Sequence, residues 1–177
     1  MTTLDTSNLN VKDLSFINDI KSMAVIGTSK KRNFFFLRNH AENFKGKLYA
    51  VNPVLKEIPG FDKNIIYPSL KDIPGEVDFV FIAVPPSKIL EVMDDCAEKG
   101  VKLATVFTAE FSDSGKDEGL ELEKELLRRT KNKVRMLGPN GLGLYYPKLG
   151  IAWRSHFPAK SGNISFIAQS GGICNLI

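Results

Sequence analysis

Short apolar runs alternate with longer amphipathic stretches along the 177-residue chain, and that rhythm predicts βαβ units built around a parallel sheet. Strands are expected over residues 23–26, 47–51, 79–84, 104–107 and 134–137. Most of these runs are continuously apolar rather than alternating, as they must be when helices cover both faces of the sheet. Helices are expected over 34–44, 86–99 and 116–130. In the second helix, Ile89, Val92, Met93, Cys96 and Ala97 recur at helical spacing, which gives Cys96 a packing role. Ahead of the first strand, Leu14, Phe16 and Ile17 are spaced for a short amphipathic helix against the sheet edge.

The pattern changes near Tyr146. A loop-like stretch, "KLGIAWRSHFPAKSG", leads to a further strand expected over 163–168 and then to "QSGG", the opening of another strand, turn and helix unit. Too little chain follows to close a second sheet. The expected organisation is one α/β domain over residues 1–147 and, over 148–177, a linker and the incomplete start of a second, in a fragment of a longer protein; the alternative is that the last strand joins the first domain.

A hydrophobic content of 43% supports a real core. No apolar run approaches the roughly 20 residues that span a bilayer, and the amino-terminal "MTTLDTSNLNVKDLSF" is too polar for a secretory signal. A soluble cytoplasmic protein without a membrane role is expected. Cys96 and Cys174 lie far apart and outside C-x-x-C spacing, so neither a disulfide framework nor a metal site is expected. The excess of 24 Lys and Arg over 20 Asp and Glu suits anionic ligands. It does not imply nucleic acid: the basic run "RRTKNKVR" sits at a helix end, where cations complement the dipole, and it lacks interleaved aromatics on which bases stack.

The stretch "MAVIGTSKKRNFFF" carries the chemistry. A turn between strand and helix points free backbone N–H groups at whatever occupies it, and the helix dipole favours negative charge there. Gly27 lets the backbone approach a ligand, and Ser29 and Lys30 add a hydroxyl and a cation. A dinucleotide fingerprint requires G-x-G-x-x-G, but the chain reads "GTSKKR"; the second strand then ends "YAVNP", with no acid for the ribose hydroxyls. Lys30, Lys31 and Arg32 instead suit an adenine nucleotide bearing an extra phosphate, which describes both NADP and coenzyme A. As a mere solvated helix start, these cations would oppose the dipole.

Ligands of open α/β sheets lie at the carboxyl ends of the strands. The third strand delivers "AVPPS", where paired prolines form a rigid wall for a flat ring, or else the first turn of a helix. The fifth runs into "GPNGLG", a multiply turned loop that serves a ligand or a domain hinge. Glu110, after the fourth strand, is the one acid placed to meet a ligand, with helix-capping and loop roles as equal alternatives. His40 is expected on the exposed face of the first helix, His156 in a loop, and the Asp94–Asp95 pair on an exposed helix face.

In this order and at these separations, "AVIGTS", "YAVNP", "FIAVPPS", "TVFTAEF", "LGPNGLG" and "GNISFIAQSGG" resemble the coenzyme A-binding domain of NDP-forming acyl-CoA synthetases, relatives of the succinyl-CoA synthetase α subunit. The resemblance runs from about Ser22 to the last residue. It implies a Rossmann-like, doubly wound, mainly parallel sheet followed by the truncated start of a flavodoxin-like α/β domain. It further implies that Gly27, Thr28, Ser29 and Lys30 surround the coenzyme A phosphates, that Asn52 and Pro53 lie beside the nucleotide, and that Val84, Pro85 and Pro86 lie against it. Asn140 and Gly141 are implied near the pantetheine arm and thiol. Ser170 and Gly171 would head a helix facing a phosphohistidine. Catalysis by the whole enzyme would need an ATP-grasp domain or β subunit, with ATP or GTP as the phosphate source, and oligomers are compatible with it.

Three departures accompany the resemblance. The family usually has another glycine shortly after the first turn, where this chain has "KKRNFFFLRN"; Gly141 stands where cysteine commonly follows "GPN"; and neither His40 nor His156 matches the phosphorylated histidine, so no catalytic residue is expected in this chain. Related alternatives are the amino-terminal module of a protein acetyltransferase, a non-catalytic coenzyme A or nucleotide sensor, and an NADP-binding reductase domain.

Overall fold

The computed structural model describes residues 14–174. Six strands form one sheet: β1 (Ser22–Ile26), β2 (Lys47–Val51), β3 (Ile66–Tyr67), β4 (Phe79–Ile82), β5 (Leu103–Val106) and β6 (Arg135–Leu137). Their order is β3-β2-β1-β4-β5-β6 and all five pairings are parallel. Every residue of β1, β4 and β5 is buried, which explains the continuous apolar runs in the sequence: successive side chains enter opposite faces, and both faces are covered.

On one face Ala24, Ile26, Val80, Ile82, Ala104 and Val106 meet helices α2 (Ile89–Lys99) and α3 (Asp117–Thr130) through Ile89, Met93, Cys96 and Leu126. On the other, Met23, Val25, Phe79, Phe81 and Leu103 meet α1 (Phe35–Asn43) through Phe36 and Leu37, together with Ile151 and Trp153 of the chain that follows β6. That later chain is strapped to α1: the Asn43 side chain donates to the Ser155 carbonyl at 3.0 Å, and the Ser155 N–H donates to Asn39 Oδ1 at 3.1 Å. Cys96 is fully buried, as its spacing requires, and burial pushes its thiol pKa up.

Several expectations need correction. The segment with Phe16 and Ile17 is a 3-10 turn, Ser15–Asp19, although both residues pack against the core. The second helix begins as a 3-10 turn at Pro86–Lys88 and becomes α-helical only at Ile89. The two-residue β3 was not foreseen. Residues 163–168, expected as a strand, are not one: neither edge of the sheet pairs with them, and Ile164 and Ile167 are 89% and 98% exposed. An apolar run without a neighbouring ladder leaves its backbone groups unpaired, so composition alone cannot make it a strand. A short α4 (Gly171–Cys174) follows.

His40, expected on the surface, is 1% exposed. It shares the inward face of α1 with Phe36 and Leu37, and its ring lies edge-on to Phe81 at 5.0 Å between centroids. Both ring nitrogens are buried without a hydrogen-bond partner. Burial accordingly lowers its pKa to about 4, so the imidazole is neutral at pH 7.

Candidate functional site

All six strands point their carboxyl ends into one cleft of about 1040 Å³, at the upper end of the range for small-molecule sites. The cleft straddles the β1–β4 junction, where the strand order reverses. Gly27 occupies the corner at the end of β1 with φ +94°, and a Cβ there would overlap the carbonyl of Ala83 at the end of β4. Only glycine allows both the backbone angle and the close passage of these two strand ends.

The neighbouring loops are held by hydrogen bonds rather than left open. Thr28 is buried, and its hydroxyl donates to the Val25 carbonyl at 3.3 Å. Asn52, at the end of β2, donates from Nδ2 to the Thr28 carbonyl at 2.8 Å while its Oδ1 accepts from the Val54 and Leu55 N–H groups at 2.9 and 3.1 Å. The residue standing where a ribose-binding acid would be found therefore ties two cleft loops together. On the far side, the Thr108 hydroxyl donates to the Val84 carbonyl at 2.7 Å, and the Asn140 N–H donates to the Thr108 carbonyl at 2.9 Å.

The basic residues form a compact turn. Lys30–Arg32 is a 3-10 helix capped by Ser29, whose Oγ accepts from the Lys31 N–H at 3.3 Å. It ends in two consecutive left-handed residues, Asn33 (φ 46°) and Phe34 (φ 56°), before α1 begins. This stretch contains no glycine, and the backbone adopts the left-handed conformation without one, at a cost of about 1–2 kcal/mol for a residue such as phenylalanine. No side chain caps the start of α1, and Phe35 and Phe36, in its first turn, line the cleft. Lys31 and Arg32 also line it, and neither has an ion-pair partner among the described residues. Unpaired cations beside an uncapped helix start make this wall receptive to phosphate.

Charge on the opposite wall is already spent. Lys88 pairs with Glu91 at 2.9 Å, and Asp95 with Lys71 at 2.9 Å. Asp94 likewise pairs with Arg129 of α3, so the acidic pair joins elements instead of forming a plain solvated face. Glu110 lines the cleft with a left-handed backbone (φ 75°).

Of the residues expected at the site, the structure brings Gly27, Thr28, Ser29, Asn52, Pro53, Val84, Pro85, Pro86 and Asn140 together in this cleft. Lys30 and Gly141 adjoin it without lining it. Ser170 and Gly171 lie elsewhere, at the start of α4, where Ser170 Oγ accepts from the Ile173 N–H at 3.4 Å. Sequence reasoning missed Pro68 and Ser69, which follow the two-residue β3, and Phe107 and Thr108 beyond β5. The last two were readable as part of "TVFTAEF", since that strand end faces the glycine turn.

A doubly wound parallel sheet with a glycine turn and a basic, uncapped helix start at its reversal point defines a nucleotide-binding α/β domain. Residues 21–147 match the CoA binding domain family, and the chain belongs to it. It is 36% identical over 170 residues to an ADP-forming acetate–CoA ligase of Methanocaldococcus jannaschii, covering 93% of this chain and 23% of that one. It is 37% identical to the α subunit of ADP-forming acetate–CoA ligase II of Pyrococcus furiosus, covering 90% of this chain and 35% of that one. Among solved structures, a dinucleotide-forming acetyl-coenzyme A synthetase 1 of Ca. Korarchaeum cryptofilum, in complex with phosphate and ADP, superimposes with a TM-score of 0.75 at 40% identity, over 91% of this chain and 35% of that one. The chain thus spans roughly a quarter to a third of the length of these relatives. Among the described residues, no helix is long and apolar enough to cross a membrane, and no cluster of side chains could hold a metal.

Proposed function

We propose that this chain is the coenzyme A-binding portion of an NDP-forming acyl-CoA synthetase, in which an acid, coenzyme A and ATP or GTP give acyl-CoA, the nucleoside diphosphate and phosphate. The observation that carries the reading is the convergence of Gly27, the unpaired Lys31 and Arg32 and the uncapped α1 on one cleft. Backbone N–H groups at Thr28 and Ser29 and in the first turn of α1 receive the phosphates, while the Gly27 N–H is held by the Val51 carbonyl. Lys31 and Arg32 meet the additional ribose phosphate, and the Val84–Pro86 wall packs against the adenine. Asn140 and Gly141 flank the pantetheine arm.

Residues 148–177 are, in this reading, a linker that packs on the first domain through Ile151 and Trp153 and then the start of a second domain whose Ser170–Gly171 helix faces a phosphohistidine. That histidine and the ATP-grasp domain or β subunit that loads it lie outside this chain. The chain therefore binds coenzyme A without turning it over.

Calorimetric titration with coenzyme A, dephospho-coenzyme A and NADPH tests the reading. Binding of coenzyme A that weakens on loss of the 3′-phosphate supports it. Heat from NADPH alone, or none from coenzyme A, overturns it.

A further inference from the structure

The left-handed pair Asn33–Phe34 carries no glycine, yet it fixes where the basic turn ends and α1 begins. One side chain touches every part of this junction. Arg38, one turn into α1, donates from Nε to the Asn33 carbonyl at 3.2 Å and from Nη2 to the Pro59 carbonyl at 2.8 Å. Its guanidinium carbon lies 5.8 Å from the centre of the Phe34 ring and 5.6 Å from that of Phe61. A planar guanidinium offers fixed, forked donor directions and a flat face that packs on aromatic rings; a compact ammonium on a flexible stem has neither. The Pro59–Phe61 segment belongs to the connection between β2 and β3, so Arg38 fastens the turn to a different part of the sheet.

We infer that Arg38 is a positioning residue: it clamps the glycine-free turn so that Lys31 and Arg32 stand at the cleft wall. Its part in ligand recognition rests on the coenzyme A reading above, whereas the clamp itself does not. Arg38 is not among the cleft-lining residues, so it acts through the turn and not by touching the ligand.

Two measurements on the same proteins test this. Amide hydrogen exchange of the unliganded chain reports the Arg32, Asn33 and Phe34 N–H groups, which are hydrogen-bonded to the Ser29 and Lys30 carbonyls. In Arg38→Ala and Arg38→Lys these amides are expected to exchange at least about fivefold faster, with those of β1 and α2 unchanged. In the titrations, both variants are expected to bind coenzyme A about tenfold more weakly, and the preference over dephospho-coenzyme A is expected to fall towards one, because the displaced cations no longer read the extra phosphate. Unchanged exchange in the turn overturns the proposal. So does full retention of coenzyme A affinity by Arg38→Lys, which would assign the effect to charge alone. If the turn loosens in a chain that binds no coenzyme A, the clamp stands and the coenzyme A reading fails.

Discussion

At the amino ends of β1 and β4, Asp78 has both oxygens engaged: Oδ2 accepts from the Lys21 and Ser22 N–H groups and the Ser22 hydroxyl at 2.9–3.1 Å, and Oδ1 accepts from Lys102 at 2.8 Å. At the carboxyl end of the sheet, Gly27 is wedged against Ala83, and Asn33 and Phe34 after β1, Glu110 after β5 and Asn140 after β6 adopt left-handed backbones, whereas Asn132, before β6, does so at the amino end. One end of the sheet satisfies its polar groups internally. The other holds four of the five left-handed non-glycine residues described, the unpaired Lys31 and Arg32 and a helix start without a side-chain cap, an arrangement that is stable only where the surrounding fold over-determines it and is useful only where something binds. The difference teaches that the same strands are anchored at one end and made available at the other.

The contrast predicts different consequences for substitutions at each place. The largest belongs to Gly27→Ala: the added Cβ combines an unfavourable φ with overlap on a neighbouring strand, and a loss of about 3–4 kcal/mol in urea unfolding is expected, together with loss of ligand binding.

Between the two ends, His40 supplies a pH-dependent test. Its folded pKa of about 4 lies below the ordinary 6.5, so its contribution is fully present above pH 6.5 and is lost as pH falls through 4. The loss over that window is about 3 kcal/mol. His40→Phe should remove this component, making unfolding free energy measured from pH 7 to 4 flatter than in the unsubstituted chain.

Asp78→Ala comes next. Burial pushes this carboxyl's pKa up, but the bonds from Lys102, Lys21 and Ser22 outweigh it and hold the pKa below the usual range. Removing the carboxylate leaves buried donors unpaired, for a loss of about 2 kcal/mol. Coenzyme A affinity should be unchanged in the folded variant, since the group lies at the anchored end. Smaller effects are expected from Lys31→Ala and Arg32→Ala, each about 1 kcal/mol in coenzyme A affinity with no change in thermal midpoint. Lys30→Ala, one position outside the cleft lining, should cost less than either; a larger cost for Lys30 by titration would reverse that ordering.

The alternation of apolar runs and amphipathic stretches was enough to locate five strands and three helices to within a few residues, because buried parallel strands and two-sided helix cover leave strong periodic signals. β3 escaped because two residues carry no period. Residues 163–168 misled for the opposite reason: "ISFIA" has a strand's composition, but pairing is a property of neighbours and not of the run itself. His40 was misplaced by its polar companions Arg38 and Glu42, although its spacing from Phe36 and Leu37 put it on the inward face. At the cleft, the glycine turn and the strand-end motifs were legible from residue type. The engagement of Asn52 with Thr28, and of Arg38 with Asn33 and Pro59, was not, since those bonds join segments that only the folded sheet brings together.

The cleft draws on residues as far apart as Ile26 and Asn140, with contributions from the segment that follows each of the six strands. No single stretch of chain supplies all of it, so the complete site exists only once the segments from Ile26 to Asn140 have assembled. A ligand that spans the cleft binds the native state alone and couples to global unfolding; at 100 times its dissociation constant it adds about 2.7 kcal/mol to the free energy of unfolding. Occupancy of this site is therefore also a reading of whether the six-stranded sheet has finished folding.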